Sequence, residues 1–332
     1  MSPSLSVVVP VFNVEHYVSA CLESLLDQHL TDVEIVVVDD SSTDSSGRIA
    51  ERWAGRDSRI RVLTQPHGGL SAARNTGVQA AQGRYLAFCD GDDVVPATGY
   101  ASLVASLQST GSAIASGDVR RLDSSGVRPH PGYQDVFARH LRRTHIRRHT
   151  ALVRDRMVWN KVFRRSFWDE HELTFALPAY EDAPVMLRAH IEASAVDVLP
   201  EVVYFWRIRE NGAPSITQRR HEASNITACM RMVVDTFDVI RTSAAELVAP
   251  YADDMCRNDV RDMLRALHLH DDDALSDALS LARTFVTSLP ADVVDALPAK
   301  DRQLMILLIQ GDLSRLRNLV DAPSKSATRT SV

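Results

Sequence analysis

Two spacings of apolar residues alternate along the first part of the chain. Leu5 to Val11 and Val33 to Val38 are apolar runs rich in β-branched residues, each interrupted by one polar residue, Ser6 or Glu34. Between them, Val14 to Gln28 carries apolar side chains at intervals of three and four. Short apolar runs indicate buried strands, and the longer interval indicates an amphipathic helix. The chain is therefore predicted to open with a strand, a helix and a second strand.

The same alternation continues through the next helices and strands. Ser45 to Arg56 and Ser71 to Ala81 have helical spacing, whereas Ile60 to Leu63 and Tyr85 to Cys89 have the pattern of strands. Strands that are apolar throughout and alternate with helices are typical of a parallel sheet covered on both faces. We therefore predict an α/β fold with a Rossmann-like, mostly parallel sheet and helices on both faces.

Strand patterns end in the last third of the chain. From about His221 to Val320 helical spacing dominates, and the residues after that are small and polar, a composition typical of disorder. We therefore expect a first domain over residues 1–218, a helical module over residues 219–320 and a disordered tail over residues 321–332.

Composition and charge narrow the class of protein. The 332 residues carry a net charge of −6, which disfavours nucleic acid as a partner unless a local patch binds it. The four cysteines lack CxxC spacing, so a reducing compartment fits better than a zinc knuckle or a disulfide framework. The apolar runs are too short to span a bilayer, and the first residues lack the basic region with which a signal peptide begins. We expect a cytoplasmic protein, with contact at the inner membrane face left open.

Polar residues follow the apolar runs of the predicted sheet. They are Pro10 to Asn13, Asp39 to Asp44 and Asp90 to Asp93. In open α/β sheets ligands bind beyond the carboxyl ends of the strands, so these residues are the first candidates for a site. Neither a GxGxxG motif nor a P-loop motif stands at a junction between strand and helix, which disfavours a dinucleotide oxidoreductase and a P-loop NTPase.

Two of these segments carry clustered carboxylates. A carboxylate at Asp39 or Asp40 could accept the imide proton of a uracil ring, although Asp44 and the neighbouring serines could equally cap the next helix. Several carboxylates at one strand end are costly without a cation, and hard oxygen ligands suit Mg²⁺ or Mn²⁺. The segment from Asp90 to Asp93 is therefore predicted to hold a divalent ion beside a diphosphate, with a simple turn as the alternative.

Four ordered motifs make the pattern recognisable. They are VVVPVFN (7–13), VVVDDSSTD (36–44), GGLSAARNTG (68–77) and FCDGDD (88–93). Together they closely resemble family 2 glycosyltransferases of the GT-A fold, and this resemblance implies a GT-A fold with Mn²⁺ or Mg²⁺ as cofactor. The resemblance also implies residue roles: Pro10 and Phe12 line a uridine pocket, Asp40 reads the base, Arg74 supports the nucleotide, and Asp90 holds the ribose side and, with Asp92, the metal.

The resemblance continues more loosely through VWNKVFRRSFW (158–168) and YEDAP (180–184). In the family a Glu-Asp pair supplies the base that deprotonates the acceptor hydroxyl, which implies Asp182 for that role and Glu181 as the reserve. The alternative is acidic charge at a helix N-terminus. An inverting transfer needs one positioned base and one stabilised leaving group, so no covalent nucleophile is required.

The segment YFWRIRENGAPSIT (204–217) resembles the family segment that closes over the donor diphosphate. If Val202 to Ile208 is a strand, Arg207 and Arg209 share one face and both could reach phosphate oxygens; solvated surface arginines are the alternative. Related enzymes often carry a histidine in this segment. None occurs here, which leaves the outer metal contacts open.

A concentrated basic block, Arg139 to Arg156, stands in this acidic chain. It could be a solvated helical face, or a groove for an anionic polymer or a lipid-linked diphosphate. His145 and His149 have the spacing of a metal pair on a helix, but the arginines around them would repel a cation, so no zinc site is expected.

These patterns support one function and leave two rivals. Residues 150–220 look similar to the glycosyltransferase module of actinobacterial teichoic-acid-type polymer synthases. The predicted function is inverting transfer of a hexose or N-acetylhexosamine from a UDP-sugar to a hydroxyl of a cell-surface polymer, teichoic-acid-like or capsular, or of its lipid-linked precursor. A nucleotidyltransferase would carry a glycine-rich, lysine-containing loop where Pro10 to Asn13 stand. A catalytically silent binding module is disfavoured by the acidic residues Asp90, Asp92, Glu181 and Asp182.

Overall fold

The computed structural model of the chain describes residues 3–130 and 132–321. The chain divides into two compact units, the first ending at Pro214 and the second beginning at Ser215. Of the tail expected over residues 321–332, all but Asp321 lies outside the described residues.

A mixed sheet forms the framework of the first unit. Its strands are β1 (Leu5–Val11), β2 (Val33–Asp39), β3 (Ile60–Thr64), β4 (Tyr85–Phe88), β5 (Ile114–Asp123), β6 (Gly126–Pro129), β7 (Leu141–Thr144), β8 (Lys161–Arg164) and β9 (Val196–Arg207). Their order is β3-β2-β1-β4-β8-β5-β9-β7, and β6 pairs with β5. Neighbours from β3 to β4 are parallel, whereas β8 is antiparallel to the strands on both its sides. The predicted α/β class with a mostly parallel sheet is confirmed.

Helices alternate with these strands along the chain. They are α1 (Val18–Leu26), α2 (Ser46–Ala54), α3 (Gly69–Ala80), α4 (Gly99–Thr110), α5 (Arg165–Glu170) and α6 (Asp182–Glu192). Helix α1 buries the apolar stripe that predicted it, Val18, Cys21, Leu22 and Leu25. Helix α3 lies so close to β1 that a Cβ atom on Gly77 would stand 2.3 Å from Val8 Cγ1. Only glycine fits at that position of the helix.

The strand directions define two ends of the sheet. Strands β1, β2 and β4 finish at what we call the carboxyl end. Strand β9 is parallel to β5, and β8 is antiparallel to both β5 and β4, so β9 also finishes at the carboxyl end, with Arg207. Strand β8 begins there, with Lys161. The opposite end, where β9 starts, is the amino end.

A buried carboxylate holds the amino end together. Asp197 accepts hydrogen bonds from Ser106 Oγ at 2.7 Å, Thr110 Oγ1 at 2.6 Å, Ser112 Oγ at 2.8 Å and the Arg143 backbone N–H at 2.8 Å. Because these donors belong to α4, to β7 and to the segment before β5, one carboxylate joins several elements.

The basic block is not a helix. It contains β7 and a short 3₁₀ helix over Thr150–Arg154, so the helical-face interpretation is wrong. The reason is that β7 pairs with the start of β9, while Arg143 takes a left-handed φ of 51° with its N–H bonded to Asp197. Strand β7 therefore puts Arg142 and Arg143 at the amino end, up to about 30 Å from Arg207 along β9 at about 3.3 Å per residue.

Helices make up the second unit. They are α7 (Ala223–Ser243), α8 (Val248–Arg257), α9 (Asp259–Arg265), α10 (Ser276–Thr287), α11 (Ala291–Asp295), α12 (Ala299–Gln310) and α13 (Leu313–Leu319), and its described residues contain no strand. Phe237 on α7 meets Phe285 on α10 edge to face, with ring centroids 5.2 Å apart. The predicted helical C-terminal region is confirmed. Within residues 3–130 and 132–321, no helix has both the length and the apolar content that crossing a bilayer requires.

Candidate active site

Three aspartates follow β4 at the carboxyl end of the sheet, in what we call the acidic loop, residues 90–93. Asp93 is buried, and its carboxylate oxygens accept hydrogen bonds from the Tyr204 hydroxyl and the Arg207 backbone N–H, each at 2.7 Å. Asp92 Oδ2 accepts a hydrogen bond from Arg209 Nε at 2.6 Å. The acidic loop is thereby fastened to the end of β9.

Burial disfavours the charged forms of Asp92 and Asp93. Burial raises the pKa of Asp92, with Arg209 opposing and Asp90 adding to the rise. Burial, together with the charges of Asp92 and Asp90, raises the pKa of Asp93 well above its usual range. An added cation stabilises the charged form of buried carboxylates whose pKa values are raised in this way.

Arg74 on α3 lies buried between two carboxylates. Its Nη2 donates to Asp90 Oδ1 at 2.7 Å, and its Nη1 donates to Glu181 Oε1. Its guanidinium carbon stands 5.4 Å from the centroid of the Phe175 ring. Burial lowers the pKa of Arg74, but Asp90 and Glu181 outweigh burial and raise it overall. Arg74 therefore stays charged and joins the acidic loop to the segment that leads into α6.

Glu181 and Asp182 stand where α6 begins, and both are buried. Burial raises the pKa of Glu181 to about 7 against the opposing charge of Arg74. Burial also raises the pKa of Asp182, again opposed by Arg74. Asp182 Oδ2 accepts a hydrogen bond from the Val158 N–H at 3.3 Å. Glu181 is held directly by Arg74, whereas Asp182 has a longer and uncharged bond, which favours Asp182 as the proton acceptor of the pair.

Strained backbone accompanies the site. Asn13, Ser41 and Tyr180 have left-handed φ angles of 53°, 59° and 55°. Asn13 and Ser41 lie just past the ends of β1 and β2, and Tyr180 immediately precedes Glu181. Residues other than glycine in unfavourable regions cost about 1–3 kcal/mol each and cluster at functional sites.

Asp40 organises the loop before α3. Its Oδ1 accepts hydrogen bonds from Gln65 Nε2 at 2.7 Å and from the Gly68 N–H at 2.9 Å. Its Oδ2 accepts one from the Gly69 N–H at 2.8 Å, and His67 Nδ1 lies 2.8 Å from the same oxygen. The carboxylate to which the family resemblance assigns base reading therefore sets the start of helix α3.

An aromatic surface lies next to this loop. Phe12 is 41% exposed and stacks on His67, with ring centroids 4.4 Å apart and an interplanar angle of 23°. Pro10, within β1, is buried. An exposed ring at the carboxyl end of the sheet is suited to stacking on a flat base.

Arg207 and Arg209 meet the acidic loop from β9. The strand ends at Arg207, so Arg209 lies just beyond it, past the predicted limit of Ile208. Arg207 Nε donates to the Asp92 carbonyl oxygen and Arg209 Nε to the Asp92 carboxylate, each at 2.6 Å. Phosphate oxygens bind guanidinium groups strongly, so a diphosphate arriving here would compete for both arginines.

The acidic loop is the part of the site suited to a divalent cation. Asp90 and Asp92 offer hard carboxylate oxygens. Within residues 3–130 and 132–321, no three His, Cys, Asp or Glu side chains are grouped as a preformed metal site. Magnesium commonly uses one or two carboxylates and completes its shell with substrate phosphates and water. The residues present fit a cation that binds together with a diphosphate.

Sequence reasoning missed Asp93, Tyr204 and Trp159 as contributors. The Trp159 ring stacks on Tyr204 with centroids 4.4 Å apart, and Tyr204 in turn bonds to Asp93. Asp93 could have been found, because it belongs to the clustered carboxylates of residues 90–93. Trp159 and Tyr204 are far apart in the chain, so no local pattern predicts that they touch.

Comparison with known proteins identifies relatives of this chain. The profile of Glycosyl transferase family 2 matches residues 6–171. EpsJ, an uncharacterized glycosyltransferase of Bacillus subtilis (strain 168), is 36% identical over 230 residues, which cover 65% of this chain and 64% of EpsJ. The poly(ribitol-phosphate) beta-glucosyltransferase of Bacillus spizizenii is 28% identical over 218 residues, 63% of this chain and 33% of that protein. The chain thus spans less than two thirds of the length of these relatives.

Solved structures share the fold. Residues 1–349 of S. aureus TarS, in complex with UDP-GlcNAc, match with a TM-score of 0.77 at 20% identity, over 99% of this chain and 92% of that one. The mannosyltransferase PcManGT from Pyrobaculum calidifontis, in complex with GDP-Man and Mn²⁺, matches with a TM-score of 0.54 at 17% identity, over 96% and 88%. At these identities the likeness shows the fold, and the predicted GT-A fold is confirmed.

Glu181 makes stability depend on pH. Its pKa rises from 4.5 to about 7 in the fold, so the folded state holds this proton more tightly than the unfolded chain does. Its contribution to stability is therefore complete below pH 4.5 and is lost as the pH rises through about 7. We expect Glu181→Gln to flatten the fall of melting temperature across this window, by a few degrees at its upper end. The control is Glu170→Gln at an exposed site on α5; parallel pH profiles for parent and Glu181→Gln would contradict the assignment.

Proposed function

The chain belongs to glycosyl transferase family 2, and we propose that it transfers a hexose or an N-acetylhexosamine from a UDP-sugar to an acceptor hydroxyl with inversion at the anomeric carbon. The observation that carries this proposal is the juxtaposition of an acidic loop, two arginines and a buried carboxylate at the start of α6. Arg207 and Arg209 bond to Asp92 of the loop, and Arg74 joins Asp90 of the loop to Glu181, the residue before Asp182. The loop and the arginines suit a diphosphate leaving group. The carboxylate, Asp182, suits the removal of a proton from the acceptor.

We assign the donor half as follows: Pro10 and Phe12 line the uridine pocket, Asp40 reads the base, Arg74 supports the nucleotide, Asp90 holds the ribose side, and Arg207 and Arg209 take the diphosphate. The UDP-GlcNAc held by the TarS structure supports a UDP-sugar as the donor class. Four donor groups already surround the Asp40 carboxylate, so reading a base requires Gln65 or His67 to give way.

We assign Asp92, with Asp90 beside it, as the protein ligands of Mn²⁺ or Mg²⁺. When bound, the ion would neutralise charge on the departing diphosphate. PcManGT, which shares the fold, was solved with GDP-Man and Mn²⁺, and this supports the choice of ion. Arg209 lies against Asp92 and can turn its guanidinium to the phosphate oxygens.

Asp182 is the proposed general base. It takes the proton of the acceptor hydroxyl while the acceptor oxygen bonds to the anomeric carbon on the face opposite the diphosphate. The bond from that carbon to the diphosphate oxygen breaks, UDP leaves, and the configuration inverts. Burial raises the pKa of Asp182 toward the working pH, which makes it a better base. Glu181, held by Arg74, is the reserve.

The proposed acceptor is a hydroxyl of a cell-surface polymer, teichoic-acid-like or capsular, or of its lipid-linked precursor. The name of the Bacillus spizizenii relative supports a polymer of this class. An anionic chain would be attracted by the basic block, but Arg142 and Arg143 lie at the amino end of the sheet, so they would hold a part of it distant from the reacting hydroxyl. A lipid-linked acceptor would bring the protein into peripheral contact with the inner face of the cell membrane.

Metal removal tests the donor half. We expect UDP to bind at least about tenfold more tightly with Mn²⁺ than with EDTA, because the crowded carboxylates repel a diphosphate that has no counter-charge. Asp92→Ala should abolish the effect of Mn²⁺, whereas Asp277→Ala, at an exposed site on α10, should keep it. Titration calorimetry measures both. Equal UDP affinity with and without the chelator would refute the metal assignment.

Replacing the base tests the acceptor half. Asp182→Asn should lower kcat about 10²- to 10⁴-fold and leave UDP affinity within about threefold, since a general base acts on the acceptor. The assay is UDP release from UDP-GlcNAc or UDP-glucose, with poly(ribitol phosphate) as acceptor. Glu192→Gln, at the exposed end of the same helix, is the matched control. Substantial activity in Asp182→Asn would move the role to another group, Glu181 first.

A further inference from the structure

A buried polar cluster lies behind the segment that leads into β8. Lys161 and Asp155 are both 0% exposed, with Lys161 Nζ 2.6 Å from Asp155 Oδ1. Lys161 Nζ also donates to Asn160 Oδ1 at 2.8 Å and to the Met157 carbonyl oxygen at 2.5 Å. All three N–H donors of the ammonium group are thus used. Each bond ends on residues 155–160, which we call the lysine turn.

The cluster also reaches helix α6. Asp155 Oδ1 accepts a second hydrogen bond, from Asn160 Nδ2 at 3.0 Å. Asp155 Oδ2 lies 3.4 Å from His190 Nε2, without the alignment of a hydrogen bond. His190 is buried on α6, about two turns beyond Asp182. Asp155 therefore connects the lysine turn with the helix that begins at Asp182.

Stability alone explains this cluster poorly. Taking two charges out of water costs several kcal/mol per ion, and apolar residues of similar volume often stabilise a fold as well or better. What this pair does provide, with all three donors of the Lys161 ammonium group bonded, is a single geometry for the groups around it. The role of the pair therefore depends on the groups that the lysine turn holds in place.

The lysine turn carries a contact to each half of the site. The Val158 N–H donates to Asp182 Oδ2 at 3.3 Å. The Trp159 ring stacks on Tyr204 with centroids 4.4 Å apart. The Tyr204 hydroxyl donates to Asp93 Oδ2 at 2.7 Å and accepts a hydrogen bond from the backbone N–H at the start of the acidic loop at 3.1 Å. Movement of the turn would therefore disturb both the base and the acidic loop.

We propose that Asp155 and Lys161 are positioning residues of the transfer reaction: their buried pair holds the lysine turn so that Val158 orients the Asp182 carboxylate and Trp159 supports the acidic loop. Both side chains are fully buried, so they act through the turn and not on the substrate. The inference rests on the proposed function, because it takes Asp182 as the base.

The test removes both charges together. Asp155→Asn combined with Lys161→Met leaves no unpaired buried charge, so the fold should persist. We expect kcat for UDP release from UDP-GlcNAc or UDP-glucose, with poly(ribitol phosphate) or water as acceptor, to fall at least about tenfold while UDP affinity stays within about threefold. Exchange of the Val158 amide hydrogen should speed up at least about tenfold.

Asp197→Asn is the matched control. Asp197 is also fully buried and bonded to several donors, but it lies at the amino end of the sheet. The replacement Asp197→Asn should lower the melting temperature and leave kcat within about twofold of the parent value at temperatures well below melting. In an Asp182→Asn background, the double replacement should cost well under about tenfold, because the base it positions is already gone.

Two results would overturn the inference. One is a double variant that melts earlier but keeps kcat within about twofold of the parent, which would show a purely structural pair. The other is unchanged exchange at Val158. If the parent releases no UDP from either donor, the proposed function fails on its own, and exchange at Val158 still decides whether the buried pair holds the turn.

Discussion

Charge compensation by Arg74 is the constraint on which the rest of the site depends. Its guanidinium is buried and binds two carboxylates from distant parts of the chain, the buried Glu181 and the partly exposed Asp90. Without it the buried Glu181 carboxylate would lack a counter-charge, a condition that costs several kcal/mol. The same constraint orders the surrounding fold. Helix α3 carries Arg74, starts on the hydrogen bonds of Asp40, and approaches β1 so closely that only Gly77 fits.

Arg74 neutralises only part of the negative charge of the site, and the remaining acids determine its chemistry. Burial still raises the pKa values of Asp92, Asp93 and Glu181. A cluster with more buried acids than cations gains from a divalent ion that arrives with a diphosphate, and it keeps a carboxylate with a raised pKa available for a proton. The pair formed by Asp155 and Lys161 extends the same principle, because it places a charge-balanced support behind the turn that contacts Asp182.

The parts of the fold that sequence predicted are those encoded locally. The runs that became β1 to β4 are mostly apolar, and the segments that follow them leave the same edge of the parallel sheet. What sequence did not predict depends on contacts between distant segments. Strand β8 lies antiparallel between β4 and β5. Lys161 pairs with Asp155 in the core. The arginines of β7 lie at the amino end because β7 pairs with the start of β9. Composition alone carries none of this information.

The proposed transfer requires the donor diphosphate to bind at the carboxyl end of the sheet together with a divalent ion. The most direct measurement is a crystal structure with UDP and Mn²⁺, with data collected at the manganese absorption edge. We expect an anomalous peak for a manganese ion bonded to both Asp92 and a diphosphate oxygen, with Arg207 or Arg209 on the phosphates. UDP bound at another place on the first unit, or UDP at the carboxyl end without an anomalous peak at Asp92, would contradict it.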